Sequence, residues 1–113
     1  LFGKKIIHGM AHITGGGIEG NLCRVIPDGL SARIDLSEIR VLDIFKYIRS
    51  SGNISDEEMR RTFNCGVGFI LVVPWEKKDI VMKHINRFYD CYEIGKIEKG
   101  DRKIVFEQRM NWL

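Results

Sequence analysis

The chain has 113 residues, 44% hydrophobic and 29% charged, the balance of a soluble globular protein of one domain or part of one. Its net charge of +3 comes with 18 basic residues so scattered that no cluster is longer than a pair such as Arg60-Arg61 or Lys77-Lys78, which argues against the basic stripe that nucleic acid requires. Three cysteines without a C-x-x-C pair argue against a disulfide scaffold or zinc ribbon and for a reducing cytoplasm; no signal peptide is visible, and the longest apolar run, residues 66–73, is far short of the ~20 residues that span a bilayer.

Residues 6–13, IIHGMAHI, alternate. Ile7, Ala11 and Ile13 share one face with Gly9, and Ile6, His8, Met10 and His12 share the other, which predicts a strand. Gly9 within it points to a close backbone approach or a bulge. After three glycines, IEGNLCRVI predicts a helix of one or two turns, and PDG at 27–29 a turn. LSARIDL, 30–36, predicts a strand with Leu30, Ala32, Ile34 and Leu36 inward and Ser31, Arg33 and Asp35 on a wet face.

RVLDIFKYIRSSG predicts a helix with Val41, Ile44, Phe45 and Ile48 inward and a stop at Gly52. Ser55 followed by Glu58 predicts a capping box opening a short helix, with Asp56 and Glu57 at its positive end. VGFILVV predicts a strand buried on both faces, ended by Pro74. Residues 76–89 predict a helix with Val81, Ile85 and Phe88 inward. Residues 91–97 and 103–107 predict strands joined by the polar turn 98–101. The expectation is an α+β fold, one mixed β-sheet packed by α-helices.

Gly15, Gly16 and Gly17 lie between the first strand and the first helix. A glycine-rich turn there can aim successive N–H groups into one concavity, a nest for an anion, and a helix starting at Ile18 would add its free N–H groups. His12 and Thr14 flank the turn, ready to bond a phosphate or polar group. The bland alternative is a tight turn in which glycine avoids a clash. The sequence is neither G-x-x-x-x-G-K-[ST] nor G-x-G-x-x-G. In RTFNCGVGF, 61–69, Gly66 and Gly68 open an apolar strand next to Asn64, whose amide could read a ligand edge; the alternative is a β-bulge.

Other residues favour structural readings. Cys65 has no base or cation assured beside it, as a reactive thiol needs. His8 and His12 on one strand stand about 13 Å apart, too far for one metal ion, and no metal site is assigned. Capping explains Asp56, Glu57 and Glu58 better than acid catalysis, and His84 on its basic helix belongs to the surface or its boundary.

Two strings, GMAHITGGG and EEMRRTFNCGVG, together resemble the C-terminal half of the phosphoribosylformylglycinamidine cyclo-ligase family, also called phosphoribosylaminoimidazole synthetases. The match takes in Gly9 to Gly17, then Asn21, Arg24, Val25 and Pro27, then Glu57 to Gly68, and YEIGKI at 92–97 is similar to the family's closing strand. It runs from about residue 8 to 107, with the motifs at matching separation.

The resemblance implies a C-terminal domain of the aminoimidazole ribonucleotide synthetase type, a single substrate-binding domain over 1–113, truncated at its N-terminus. It implies ATP-dependent closure of formylglycinamidine ribonucleotide to aminoimidazole ribonucleotide in de novo purine biosynthesis. His12, Thr14, Gly15, Gly16 and Gly17 would hold the substrate, with Asn64, Gly66 and Gly68 lining the same cleft; no catalytic residue is assigned. ATP and Mg2+ would be bound mainly by an N-terminal domain that this sequence lacks, so the fragment alone is expected to be inactive. The implied partners are that domain and a second copy in a cytoplasmic homodimer, with no nucleic acid and no membrane. Alternatives are another member of the same ATP-binding superfamily and a non-catalytic binding or assembly module.

Overall fold

The computed structural model describes residues 8–113. Ile6 and Ile7, placed in the first strand by their alternation, lie outside the described residues. The strand β1 runs Gly9–His12, with Ala11 and Ile13 buried and Met10 and His12 exposed, as the period-two pattern requires. The chain turns through Gly15 and Gly16 into the helix α1, Gly17–Leu22, extended by a 3-10 turn at Cys23–Val25. Next come β2, Leu30–Asp35, and two helices, α2 at Asp43–Gly52 and α3 at Asp56–Thr62. The rest is β3, Phe69–Val72; α4, Lys78–Ile85; β4, Gly95–Lys99; and β5, Ile104–Glu107.

The fold is α+β, but the strands form two sheets rather than one. β1 and β3 make an antiparallel ribbon, with Gly9 opposite Val72 and His12 opposite Phe69. The second sheet has the order β4-β2-β5, antiparallel between β2 and β4 and parallel between β2 and β5. The polar turn after β4 therefore does not close a hairpin, because β2 lies between the two strands. The link wraps the start of β2 instead, with the Gly100 N–H on the Gly29 carbonyl at 3.1 Å and the Arg102 N–H on the Leu30 carbonyl at 2.7 Å. The Arg102 guanidinium fastens that wrap to the Ile26 carbonyl at 2.9 Å.

Four burial expectations are corrected by this packing. Ser31 is buried rather than wet, because the wrap covers it and the Lys103 N–H donates to its hydroxyl at 3.1 Å. β3 is covered on one face only: it pairs with β1 alone, Ile70 faces the core and Phe69 is 61% exposed. α2 packs through Phe45 and Ile48, which leaves Ile44 exposed; it starts at Asp43 and ends on Asn53, whose φ of 49° takes the left-handed position expected of Gly52. α4 ends at Ile85, and Phe88 is 70% exposed. The Phe88 and Tyr89 N–H groups both turn back to the Ile85 carbonyl, and the Asn86 side chain receives the Cys91 N–H at 2.7 Å, redirecting the chain. The residues after Cys91 join the ladder only at Gly95, four positions later than the pattern suggested.

One core unites both sheets with α1, α2 and α3. Ile13, Leu22, Met59 and Cys65 are its largest fully buried members, with Ile18, Ala32, Ile34 and Val67 around them. The Ser55 hydroxyl accepts the Glu58 N–H at 3.2 Å and caps α3. The reciprocal half of the box is not made, since Glu58 instead receives the Thr62 hydroxyl at 3.0 Å and pairs with Arg61. Asp56 ties three segments together, accepting from Arg49 of α2 at 2.9 Å and from Arg109 of the C-terminal segment at 2.8 Å.

α1 lies directly on α3. A Cβ on Gly17 would sit 1.6 Å from the Arg60 carbonyl oxygen, and the φ of Gly17, +68°, disfavours any side chain. Gly15, two residues away, has nothing within 4 Å of its would-be Cβ. Gly17→Ala is therefore expected to cost about 3 kcal/mol or more of stability while Gly15→Ala stays within about 0.5 kcal/mol, measured by denaturant unfolding. Equal effects would contradict the packing. Partial burial pushes the Asp56 carboxyl up, but the bonds from Arg109 and Arg49 outweigh it and leave it below its ordinary 3.8. A depressed carboxylate stabilises the fold above its unfolded pKa and loses that contribution as pH falls through the folded value. Asp56→Asn is expected to cost about 1 kcal/mol at neutral pH and progressively less as the pH falls below the ordinary 3.8, and a pH-independent cost would refute the ion-pair role.

Candidate functional site

The pairing of β1 with β3 sets the position of both glycine bends. The strands run antiparallel, so the end of β1 stands beside the start of β3. Past the ribbon, the Ile13 N–H donates to the Gly68 carbonyl at 2.8 Å, and the Asn64 amide approaches the Ile13 carbonyl at 3.5 Å. Two stretches about fifty residues apart in sequence thus meet at one end of the ribbon.

Within the first bend the three glycines do different work. Gly17 is buried against α3, and its N–H closes a turn onto the Thr14 carbonyl at 3.1 Å. Gly16 has a left-handed φ of 97°, and it and Gly15 are exposed. The N–H groups of Thr14, Gly15 and Gly16 donate to no acceptor among the described residues. These three amides are the donors the bend can offer an anion; α1, with six residues, is too short for its dipole to add much.

Asn21 holds the bend from beneath. It is 5% exposed, and its amide donates to the Gly17 carbonyl at 2.7 Å and approaches those of Thr14 and Gly15 at 3.3 and 3.4 Å. The Thr14 hydroxyl turns inward to the Asn21 side-chain oxygen at 3.3 Å, so Thr14 faces outward with its main chain. The motif reading included Asn21 without assigning it a role; its signal is a buried amide one helical turn after the glycines.

In the second bend the Asn64 oxygen receives the Gly66 N–H at 2.9 Å, an Asx turn that occupies the group expected to read a ligand. Gly66 is also committed to packing, because a Cβ there would sit 2.8 Å from the Arg40 carbonyl oxygen. Gly68 faces open space. The structure therefore gathers all eight sequence candidates but divides them: Gly17, Asn64 and Gly66 build the bends, and His12, Thr14, Gly15, Gly16 and Gly68 border the open surface. The His12 imidazole stacks on Phe69, centroids 4.6 Å apart, an aromatic neighbour that the sequence reading placed in a doubly buried strand.

A further concavity lies away from both bends. It is a broad groove of about 530 Å3 along the second sheet, bordered by Arg33, Trp75, Glu93 and Glu107, and includes no residue of either bend. Its central cation is already satisfied: Arg33 donates to Glu98 at 2.7 Å and to Glu107 at 2.9 Å. Among the described residues no three or more His, Cys, Asp or Glu side chains gather in a way that could hold a metal ion.

Cys65 lies under the second bend at 1% exposure. Burial pushes its thiol up to about 11, against a smaller opposing pull from Arg60. It is neutral at physiological pH and unsuited to nucleophilic attack. Because the folded value lies above the ordinary 9.0, its contribution to stability is complete below pH 9 and is lost as pH rises toward 11. Alkylation of the native protein at pH 8 is expected to label Cys23 and Cys91, both partly exposed, and to reach Cys65 only on unfolding. Native-state labelling of Cys65 as fast as Cys23 would contradict its burial.

The chain matches the family described as AIR synthase related protein, C-terminal domain, over residues 1–108. It is 48% identical over 92 residues to the bifunctional purine biosynthetic protein purD of Dictyostelium discoideum, covering 80% of this chain and 11% of that protein. It is 43% identical over 100 residues to the phosphoribosylformylglycinamidine cyclo-ligase of Pseudothermotoga lettingae, covering 88% of this chain and 30% of the relative. With the chloroplastic phosphoribosylformylglycinamidine cyclo-ligase of Arabidopsis thaliana it shares 42% identity over 99 residues, 87% of this chain and 25% of the relative. The chain thus spans less than a third of the length of these curated relatives. Matched over nearly its whole length, it belongs to the family of AIR synthase related proteins, as their C-terminal domain.

Proposed function

We propose that this domain is the substrate-holding part of an ATP-dependent phosphoribosylformylglycinamidine cyclo-ligase of purine biosynthesis, and that it binds the phosphate-bearing end of formylglycinamidine ribonucleotide at the paired glycine bends. The observation that carries the reading is the juxtaposition of the two bends, joined by the Ile13 N–H bond to the Gly68 carbonyl. Relatives named phosphoribosylformylglycinamidine cyclo-ligase, at 43% and 42% identity, support the choice of reaction.

In this reaction ATP phosphorylates the formyl oxygen of the substrate, the amidine nitrogen attacks the activated carbon, and phosphate leaves as the imidazole ring closes. The domain's part is to anchor and orient. Main-chain donors held by Asn21 and by the packing of Gly17 are in place before the substrate arrives, so little reorganisation is needed when charge develops. ATP and its Mg2+ are assigned to the remainder of the longer protein, and so is the greater part of a cytoplasmic homodimer's interface; the isolated domain is inactive on this reading.

Gly15→Val separates binding from folding, because the new side chain meets open space in the domain yet intrudes on the bend. In the full-length enzyme it is expected to raise KM for formylglycinamidine ribonucleotide at least about tenfold, with KM for ATP within about twofold. A folded variant with an unchanged substrate KM would overturn the assignment.

A further inference from the structure

The ribbon of β1 and β3 has an outer face that the core does not cover. Its cross-strand pairs are Met10 with Leu71 and His12 with Phe69. The latter pair is a flat stack, with ring planes within 11° of parallel. Its members are exposed, and the core contact of β3 is made by Ile70, so the core does not require a ring at position 69.

The position of the stack gives it a use. His12 ends β1 and Phe69 begins β3, so the rings stand where both bends begin. Gly68 precedes Phe69 directly, and Gly15 lies three residues beyond His12, at most about 11 Å of chain. The free amides of Thr14, Gly15 and Gly16 thus lie a short length of chain from an exposed aromatic stack. A ribotide has matching parts: a phosphate, a ribose spacer and a planar nitrogen-rich group. Conjugated amidines and five-membered nitrogen rings present flat faces that stack on aromatic side chains, and a cationic amidine gains further from the ring quadrupole.

We infer that the His12–Phe69 stack is a shelf for the planar, nitrogen-rich end of the ribotide, a binding surface complementary to the phosphate-holding bend. The inference rests on the bend reading above. Phe69 supplies the flat apolar face and holds the His12 ring in register across the ribbon. A methyl or branched aliphatic side chain at position 69 would keep the strand pairing but lose the ring-to-ring contact.

The test compares aminoimidazole ribonucleotide with ribose 5-phosphate, which keeps the phosphate and lacks the planar group, by calorimetry on the full-length protein. Phe69→Leu is expected to weaken the ribonucleotide about tenfold and to leave ribose 5-phosphate within about twofold, and Phe69→Tyr to restore ribonucleotide affinity. Thermal unfolding confirms that each variant is folded; if Phe69→Leu is not, Phe69→Met replaces it with the same expectation. Unchanged ribonucleotide affinity, or equal weakening of both ligands, would overturn the shelf. The bend is judged separately: Gly15→Val should weaken both ligands. If it weakens neither while Phe69→Leu still selectively weakens the ribonucleotide, the shelf stands and the bend reading falls. If ribose 5-phosphate does not bind the wild type, the bend reading also falls, and the Leu and Tyr variants decide the shelf.

Discussion

The Arg60 carbonyl of α3 comes so close to Gly17 that the two backbones touch, and the position of the first bend follows from that contact. A helix start with a side chain at this point would have to stand off from α3, separating Ile18 and Leu22 from Met59 and opening the core. The contact also commits the chain to turn sharply between Ile13 and Gly17, and Asn21 closes the turn from the inside. The glycine packed against α3 is therefore the one the fold itself requires, and its two exposed neighbours are left with open surface around them.

From this contact the rest of the site follows by short steps. The ribbon pairs β1 with β3, so a bend fixed at the end of one strand is placed beside the entrance of the other. The second bend is held by its own Asx turn and by the backbone of Arg40 against Gly66. Neither bend depends on a mobile side chain for its shape. That rigidity suits a domain whose proposed task is to position a phosphate ester, because donors fixed in advance lose little on binding.

The local patterns in the sequence carried much of this. Ala11 and Ile13 face the core, so alternation alone located β1, and Ser55 marked the start of α3 through its cap. The two glycine stretches stood out because contiguous glycines are rarely idle, and their joint occurrence was enough to show the family resemblance. What each glycine does was not legible, since Gly15 and Gly17 differ only in what surrounds them. The apolar run at 66–73 gave no hint that Phe69 would face outward, because an unbroken apolar strand cannot report which of its faces is covered. Ser31 and the place of β2 between β4 and β5 were hidden for a related reason: both depend on the wrap through Gly100 and Arg102, a long-range path that no local period encodes.

A crystal structure of the full-length protein with formylglycinamidine ribonucleotide bound tests the central claim most directly. The expected result is phosphate oxygens within hydrogen-bond distance of the Thr14, Gly15 or Gly16 amides, with the same ligand bordering Gly68. A phosphate lodged in the groove of Arg33 and Trp75, or elsewhere, with both bends empty would contradict it.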